Sequence, residues 1–176
     1  MPASSGAVIW ITGLSGSGKT TLAHALSLRL KPRLPQLVLL DGDTVRAIFG
    51  GLDYTEPSRH VQITRIRKLA GVLAMQGQIV IVAALYSHPQ LLADNRSSLP
   101  GYFEVYLRAS MGLLKQRDSK GLYAGAEAGD VPNVVGVDIP WHEPTAADLV
   151  IDADDGLTPD AMADRLLQHV PALAAS

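Results

Sequence analysis

A pattern that binds phosphate groups lies near the start of the sequence. It consists of Gly13, Leu14, Ser15, Gly16, Ser17, Gly18, Lys19 and Thr20, and it is followed by Thr21. Glycines let successive backbone N–H groups curl around phosphate oxygens, and a following helix directs its positive end at them. In such a loop the lysine reaches the β- and γ-phosphates, and the hydroxyl of Thr20 binds Mg²⁺. The first ligand that the sequence predicts is therefore a nucleoside triphosphate.

The segments on both sides of this loop have the patterns of a strand and a helix. Val8 to Thr12 is an apolar, β-branched run, and from Leu22 to Leu30 the apolar residues follow a helical pattern. A strand, a glycine-rich loop and a helix in this order are the context in which the motif binds nucleotides. The alternative, a glycine-rich turn that arose by chance, is disfavoured because the loop and both flanks agree.

Two carboxylates follow the second apolar run of the chain. Asp41 and Asp43 come after Leu40, at the carboxyl end of a predicted strand, where doubly wound sheets place their ligands. The later run from Ile79 to Tyr86 ends without an acid, which argues against a motor-type ATPase. An acid pair beside the γ-phosphate suits a kinase, in which a carboxylate orients an acceptor hydroxyl. The alternative role is an Asp-Gly-Asp turn that caps the next helix, and the two roles are compatible.

Short buried-strand runs alternate with helical stretches along the chain. The predicted strands are Val8–Thr12, Leu37–Leu40, Ile79–Ala84, Phe103–Leu107 and Leu149–Ile151. The predicted helices span residues 19–31, 44–49, 57–76, 89–99, 111–118 and 159–169, with caps at Ser110 and Thr158-Pro159. This rhythm predicts one α/β domain over residues 1–176, with helices on both faces of a five-stranded parallel sheet.

One stretch, from Ser119 to Pro144, interrupts this rhythm. It is rich in glycine and proline, and a structureless connection of that length is uncommon in a compact domain. Because it follows a phosphate-binding core, we expect a mobile lid over the phosphates at about residues 119–144. The alternative is a loose surface loop.

Composition limits the classes of protein further. The 176 residues contain no cysteine, so disulfides and thiolate metal sites are excluded, and the formal net charge of −2 gives no general attraction to nucleic acid. No segment approaches the roughly 18 apolar residues of a membrane span. The five histidines lack the spacing of a zinc site. We expect a cytoplasmic protein whose partner is a small molecule, neither nucleic acid nor a membrane.

Several motifs, in order along residues 7–152, resemble those of adenylylsulfate kinases. The phosphate-binding motif from Ile11 to Ala23 is joined by Asp41-Gly42-Asp43-Thr44-Val45-Arg46 and by Arg117-Asp118-Ser119-Lys120-Gly121-Leu122-Tyr123. Gly136-Val137-Asp138-Ile139-Pro140-Trp141 is similar to that family's Gly-Ile-Asp-x-Pro-Tyr segment. The resemblance implies the P-loop kinase fold, and ATP and Mg²⁺ as cofactors. It also implies phosphorylation of the ribose 3′-hydroxyl of adenosine 5′-phosphosulfate, and members of the family are often homodimers.

The resemblance also implies roles for individual residues. It places Arg46 and Arg59 at the anionic bridge of the substrate, Tyr54 against its base, and Arg117 on the adenine side of ATP. The implied catalytic residues are Lys19, Asp41, Asp43 and Lys120, and the implied Mg²⁺ ligands are Thr20 and Asp41. The implied substrate-binding residues are Asp43, Arg46, Tyr54, Arg59, Gln62, Leu85, Tyr86, Lys120, Leu122 and Val134. The implied ATP-binding residues are Gly13 to Thr21 and Arg117.

The acceptor half departs from the family pattern. Gln62 stands where the family has Asn and Thr64 where it has Arg; Leu85-Tyr86-Ser87 replaces Ile-Ser-Pro, and Gly125-Ala126-Glu127 replaces Lys-Ala-Arg. Val134 corresponds to a lid Phe that stacks on the substrate adenine in the family. A stacked aromatic contributes roughly 1–3 kcal/mol per base, so its loss could change which base is preferred.

Besides a small sugar or acid acceptor, these departures leave two alternatives open. The first is the same chemistry on another nucleotide-like acceptor, such as cytidine diphosphoramidate, whose smaller pyrimidine suits Tyr54 and Val134. The second, of a different class, is a regulatory module that binds ATP without turnover. Lys19, Thr20, Asp41, Asp43 and Lys120 argue against the second, because binding alone needs no second carboxylate.

Overall fold

The computed structural model describes residues 6–118 and 120–174. The strands are β1 (Ala7–Thr12), β2 (Val38–Asp41), β3 (Ile79–Ala84), β4 (Phe103–Arg108) and β5 (Leu149–Asp152). The helices are α1 (Lys19–Leu30), α2 (Gly42–Phe49), α3 (Glu56–Met75), α4 (Pro89–Ser98), α5 (Met111–Arg117), α6 (Leu122–Glu127), α7 (Pro159–His169) and α8 (Pro171–Ala174). A 3₁₀ turn spans Ala153–Asp155.

The five strands form one parallel sheet in the order β2-β3-β1-β4-β5, which confirms the predicted fold class. Every residue of β1 and β3 is buried, because helices cover both faces of the sheet. Ile9 and Ile11 pack with α1 and α7 in one core, whereas Val8 and Trp10 pack with α3 and α4 in the other. This alternation along one strand produces the three α/β/α layers.

Most predicted elements agree with the structure to within one or two residues at their ends. Ser110 and Thr158 accept N–H groups of α5 and α7 as N-caps, as predicted. The helix predicted to begin at residue 44 begins at Gly42, because Asp41 is its N-cap. Within the described residues, no helix is long and apolar enough to span a membrane.

The expectation of a structureless connection over residues 119–144 is wrong in part, because this stretch contains α6. Ser119, its predicted first residue, lies outside the described residues. The carboxylate of Asp118 caps α6 by accepting the N–H groups of Leu122, Tyr123 and Ala124 at 2.8–3.0 Å. The N–H of Val131 then returns to the carbonyl oxygen of Gly125 at 3.1 Å. The helix depends on these local hydrogen bonds, which a glycine-rich composition did not suggest.

Candidate active site

The phosphate loop joins the end of β1 to the start of α1. Gly16 and Gly18 have φ angles of 81° and 104°, in the left-handed region that glycine adopts readily. The N–H of Ser17 donates to the carbonyl oxygen of Leu14 at 3.2 Å, which closes the loop. Because α1 begins at once after Gly18, the free N–H groups of its first turn are available to an anion.

Lys19 lies in this loop as a partly buried cation. Its Nζ donates to the carbonyl oxygen of Leu14 at 2.8 Å. Burial lowers the pKa of Lys19 to about 8, although the carboxylates of Asp43 and Asp41 act in the opposite direction. The ammonium group is therefore incompletely compensated within the protein, and a bound phosphate would supply the missing charge.

Asp41 joins the phosphate loop to the second strand. The hydroxyl of Thr20 donates to its Oδ2 at 2.7 Å. Its other oxygen, Oδ1, accepts the N–H groups of Asp43 and Thr44 at 3.0 and 3.2 Å. Asp41 is thus a helix cap, the alternative that the sequence left open, and it also contacts the hydroxyl with which it was predicted to share a metal ion.

Asp43 and Lys120 form an ion pair across 77 residues of sequence. Nζ of Lys120 donates to Oδ2 of Asp43 at 2.9 Å, and the two side chains are 63% and 73% exposed. The hydrogen bond and the negative charge of Asp43 raise the pKa of Lys120. The two predicted catalytic groups therefore meet at the open side of the site, where a ligand can reach both.

A single cavity of about 720 Å³ contains almost the whole predicted site. On the phosphate side it is lined by Ser15, Gly16, Ser17, Gly18, Lys19, Thr20, Thr21, Asp41 and Arg117. On the other side it is lined by Asp43, Arg46, Tyr54, Arg59, Gln62, Leu85, Tyr86, Lys120, Leu122 and Val134. Of the predicted site residues, only Gly13 and Leu14 are absent from its wall, and both are buried at the start of the loop.

Two arginines surround one exposed tyrosine in the acceptor half. Cζ of Arg46 lies 4.7 Å and Cζ of Arg59 5.6 Å from the ring centroid of Tyr54. Arg59 also donates from Nε to the carbonyl oxygen of Tyr54 at 2.9 Å, and from Nη2 to that of Asn133 at 2.8 Å. Burial, and then the nearby charge of Arg46, lower the pKa of Arg59. Two neighbouring cations on an aromatic face suit an anionic ligand with a planar base.

The deeper wall of the acceptor half consists of buried side chains. Gln62 uses its Nε2 to donate to the carbonyl oxygen of Gly42 at 3.2 Å. The hydroxyl of Tyr86 donates to the carboxylate of Glu56 at 2.6 Å and lies 3.2 Å from Nε2 of His60. Burial, together with Glu56, raises the pKa of Tyr86. Val134 belongs to the same buried cluster as Tyr86.

On the ATP side, the predicted residue Arg117 approaches the phosphate loop, with Nη1 at 3.5 Å from the carbonyl oxygen of Ser17. The structure adds residues there that were not among the predicted site residues. Tyr123 donates its hydroxyl to the carbonyl oxygen of Ser15 at 2.8 Å. Three apolar residues beyond β5 also line the cavity: Leu157, Pro159 and Met162. No local signal marks these three, since only the return of the chain to α1 brings them to the site.

The histidines that look scattered in the sequence are partly grouped in space. Rings of His60 and His88 are 4.8 Å apart, and those of His88 and His142 are 5.2 Å apart, between centroids. Burial, followed by the charges of His60 and His142, lowers the pKa of His88. Among residues 6–118 and 120–174, no group of three His, Cys, Asp or Glu side chains could hold a metal ion by itself.

The fold and the site together define a P-loop kinase. A phosphate loop, an acid pair and a cationic acceptor half share one cavity at the carboxyl edge of a parallel sheet. Such an enzyme transfers the γ-phosphate of ATP to an acceptor bound in the same cavity.

Comparisons with known proteins identify the family. The model of the adenylylsulphate kinase family matches residues 5–152. The adenylyl-sulfate kinase of Paraburkholderia xenovorans is 40% identical over 172 residues, which are 97% of this chain and 96% of that protein. The cytidine diphosphoramidate kinase of Campylobacter jejuni is 43% identical over 144 residues, or 82% of this chain and 84% of that protein. The chain belongs to the adenylylsulfate kinase family.

A solved structure agrees with this assignment. The APS kinase of Mycobacterium tuberculosis, in complex with AMPPNP and APS, superposes with a TM-score of 0.86 at 30% identity, covering 98% of this chain and 99% of that one.

Proposed function

We propose that this chain transfers the γ-phosphate of ATP to the ribose 3′-hydroxyl of adenosine 5′-phosphosulfate. The observation that carries the proposal is the single cavity in which the phosphate loop faces the pair formed by Arg46 and Arg59. Membership of the family supports it, as do the names of the Paraburkholderia relative and the Mycobacterium structure.

In this proposal the phosphate side binds ATP. The loop N–H groups and Lys19 hold the β- and γ-phosphates, and Arg117 with Leu157 and Pro159 contacts the adenine. Thr20 and Asp41 offer hydroxyl and carboxylate oxygens, which are the hard donors that Mg²⁺ prefers, and nucleotide phosphates and water complete such sites. The residues therefore fit Mg²⁺, which when bound would neutralise charge on the phosphate oxygens.

The other side of the cavity binds the acceptor. Arg46 and Arg59 hold the phosphate–sulfate bridge, and Tyr54 stacks on the base. Asp43 accepts a hydrogen bond from the 3′-hydroxyl and orients it for attack, and Lys120 holds the Asp43 carboxylate in place. Gln62, Leu85, Tyr86, Leu122 and Val134 shape the deeper wall. Segment 120–144 acts as the lid, because Lys120, Leu122 and Val134 lie on it.

Cytidine diphosphoramidate is the second candidate acceptor, and two observations are consistent with it. The Campylobacter relative of that name has 43% identity to this chain. Val134, in place of an aromatic lid residue, is consistent with a smaller base. The same two arginines would bind the paired anionic groups of either nucleotide.

A rate comparison tests the proposal. ATP consumption by the purified protein is measured with adenosine 5′-phosphosulfate, cytidine diphosphoramidate, CDP, shikimate and gluconate, and the position of the new phosphate is read by ³¹P NMR. We expect the highest kcat/KM with adenosine 5′-phosphosulfate. A higher kcat/KM with cytidine diphosphoramidate would replace the proposed acceptor with the second one. Asp43→Asn, prepared in parallel, should remove the activity on every acceptor, which excludes a contaminating kinase.

A homodimer and a cytoplasmic location remain predictions. Light scattering during size-exclusion chromatography tests the first, and fractionation of the source cells tests the second.

A further inference from the structure

Residues 133–139, which we call the lid turn, are tied together by one carboxylate. The side chain of Asp138 accepts the backbone N–H of Asn133 at 2.5 Å and also that of Val134. The carbonyl oxygen of Val134 accepts in return the N–H groups of residues 137, 138 and 139 at 3.1–3.2 Å. Backbone and side chain thus close the turn from both directions.

The lid turn contains an unfavourable backbone conformation. Asn133 has a φ of 64°, and among the described residues it is the only one besides glycine with a positive φ. Asparagine tolerates this region better than most residues, but the conformation still persists only when its surroundings hold it. The two N–H groups bound by Asp138 are those of Asn133 itself and of the next residue. The carboxylate therefore acts directly on the strained position.

The strained residue contacts the acceptor half of the cavity. The carbonyl oxygen of Asn133 accepts Nη2 of Arg59 at 2.8 Å, and the next residue, Val134, lines the cavity wall. Arg59 is held from its other side by the carbonyl oxygen of Tyr54. Two carbonyl oxygens thus fix its guanidinium group, and one of them depends on the lid turn.

We propose that Asp138 is a positioning residue for the acceptor site, which holds the lid turn so that Asn133 fixes Arg59 and Val134 faces the cavity. The inference rests on the proposed function, in which Arg59 binds the paired anionic groups of the acceptor. Asp138 is exposed and does not line the cavity, so it acts through Arg59 and not on the substrate.

The protonation of Asp138 is consistent with this role. Although partial desolvation opposes it, hydrogen bonds from Asn133 and Val134 lower the pKa of the Asp138 carboxyl. The group is therefore a charged acceptor at neutral pH, and hydrogen bonds to charged groups are stronger than neutral ones.

Asp138→Asn tests the inference, with Asp130→Asn as its matched control. The Asn amide retains one acceptor and turns a donor toward the second N–H group. Asp130 is an exposed carboxylate on the same segment, without a side-chain hydrogen bond to any described residue. We expect D138N to raise the acceptor KM about tenfold, from the loss of a charged hydrogen bond, while kcat and the ATP KM change much less. D130N should leave all three constants unchanged.

A double-mutant cycle distinguishes positioning from general destabilisation. If Asp138 acts through Arg59, D138N should add little to the acceptor KM in an Arg59→Ala background. The inference would be overturned if the two substitutions multiplied their effects on the acceptor KM in the double variant. It would also be overturned if D138N raised the KM for ATP as much as the KM for the acceptor. Thermal unfolding is measured for each variant, and Asp138→Ser, which keeps a small hydroxyl acceptor, serves as the second variant if D138N does not fold.

The wild-type protein separates this inference from the proposed function. The rate of the wild-type protein on adenosine 5′-phosphosulfate tests the proposed function, whereas the ratios of acceptor KM between variants and wild type test the role of Asp138. If only cytidine diphosphoramidate is turned over, the proposed acceptor fails and the cycle is run on that nucleotide. If neither is turned over, the cycle is run on calorimetric affinities for both nucleotides. A wild type that binds neither would overturn both proposals.

Discussion

Lys19 provides a prediction that links stability to activity. Its pKa is lowered from 10.5 to about 8 by burial, so the protein in the absence of nucleotide holds a charge that it only partly compensates. At about 1.4 kcal/mol for each pH unit, this corresponds to an upper limit of about 3.5 kcal/mol. Replacing the charge with an apolar chain of similar length, Lys19→Met, should therefore stabilise the fold while it removes the group that we propose binds the phosphates.

The net gain is smaller than this limit. Lys19→Met leaves the carbonyl oxygen of Leu14 without its 2.8 Å partner, at a cost of about 1–1.5 kcal/mol. About 2 kcal/mol remains, which for a chain of this size raises Tm by roughly 4–8 °C. The loss of charge stabilisation should lower kcat by about 10²–10³.

The pH dependence gives the sign of the effect. The pKa of Lys19 is lower in the folded protein than in the unfolded chain. Its charge therefore lowers the free energy of unfolding by the full amount below pH 8, and this destabilisation declines as pH rises from 8 toward 10.5. The gap in Tm between K19M and wild type should thus be large at pH 7 and smaller at pH 9.5, as measured by thermal unfolding without nucleotide. Lys68→Met, on the exposed face of α3, is the control for the loss of one positive charge. A K19M protein less stable than wild type at pH 7, or a gap independent of pH, would refute the reasoning.

Three further predictions concern the acid pair, the acceptor wall and the histidine group. Asp43→Asn should lower kcat far more than it weakens ATP binding measured by calorimetry, because in the proposed function Asp43 orients the acceptor. Equal losses in kcat and ATP affinity would instead indicate a metal-binding role. Val134→Phe should shift the ratio of kcat/KM toward adenosine 5′-phosphosulfate over cytidine diphosphoramidate by part of the roughly 1–3 kcal/mol of base stacking, and an unchanged ratio would show that residue 134 does not contact the base. Because the pKa of His88 is lowered in the folded protein, the unfolded chain takes up a proton at this position before the folded protein does as pH falls through 6.5. The free energy of unfolding should therefore decline from pH 7.5 to 5.5. His88→Gln should reduce that decline in thermal unfolding, and an identical decline would contradict the assignment.

The sequence by itself determined the sheet and the phosphate loop. Both depend on neighbours in the chain: β1 and β3 are continuous apolar runs, and the loop lies between a strand and a helix within eight residues. The position of Asp41 and Asp43 directly after an apolar run likewise placed them at the carboxyl edge, because the ends of parallel strands share that edge.

Only the tertiary structure decided how the acceptor half is held. Arg59 and Asn133 are 74 residues apart, and Lys120 and Asp43 are 77 apart, so no local pattern could show that these pairs meet. The capping of α6 by Asp118 was hidden by a glycine-rich composition that suggested no helix. Secondary structure follows from periodicity along the chain, whereas the contacts of these side chains follow from how residues 120–144 and α3 pack around the cavity.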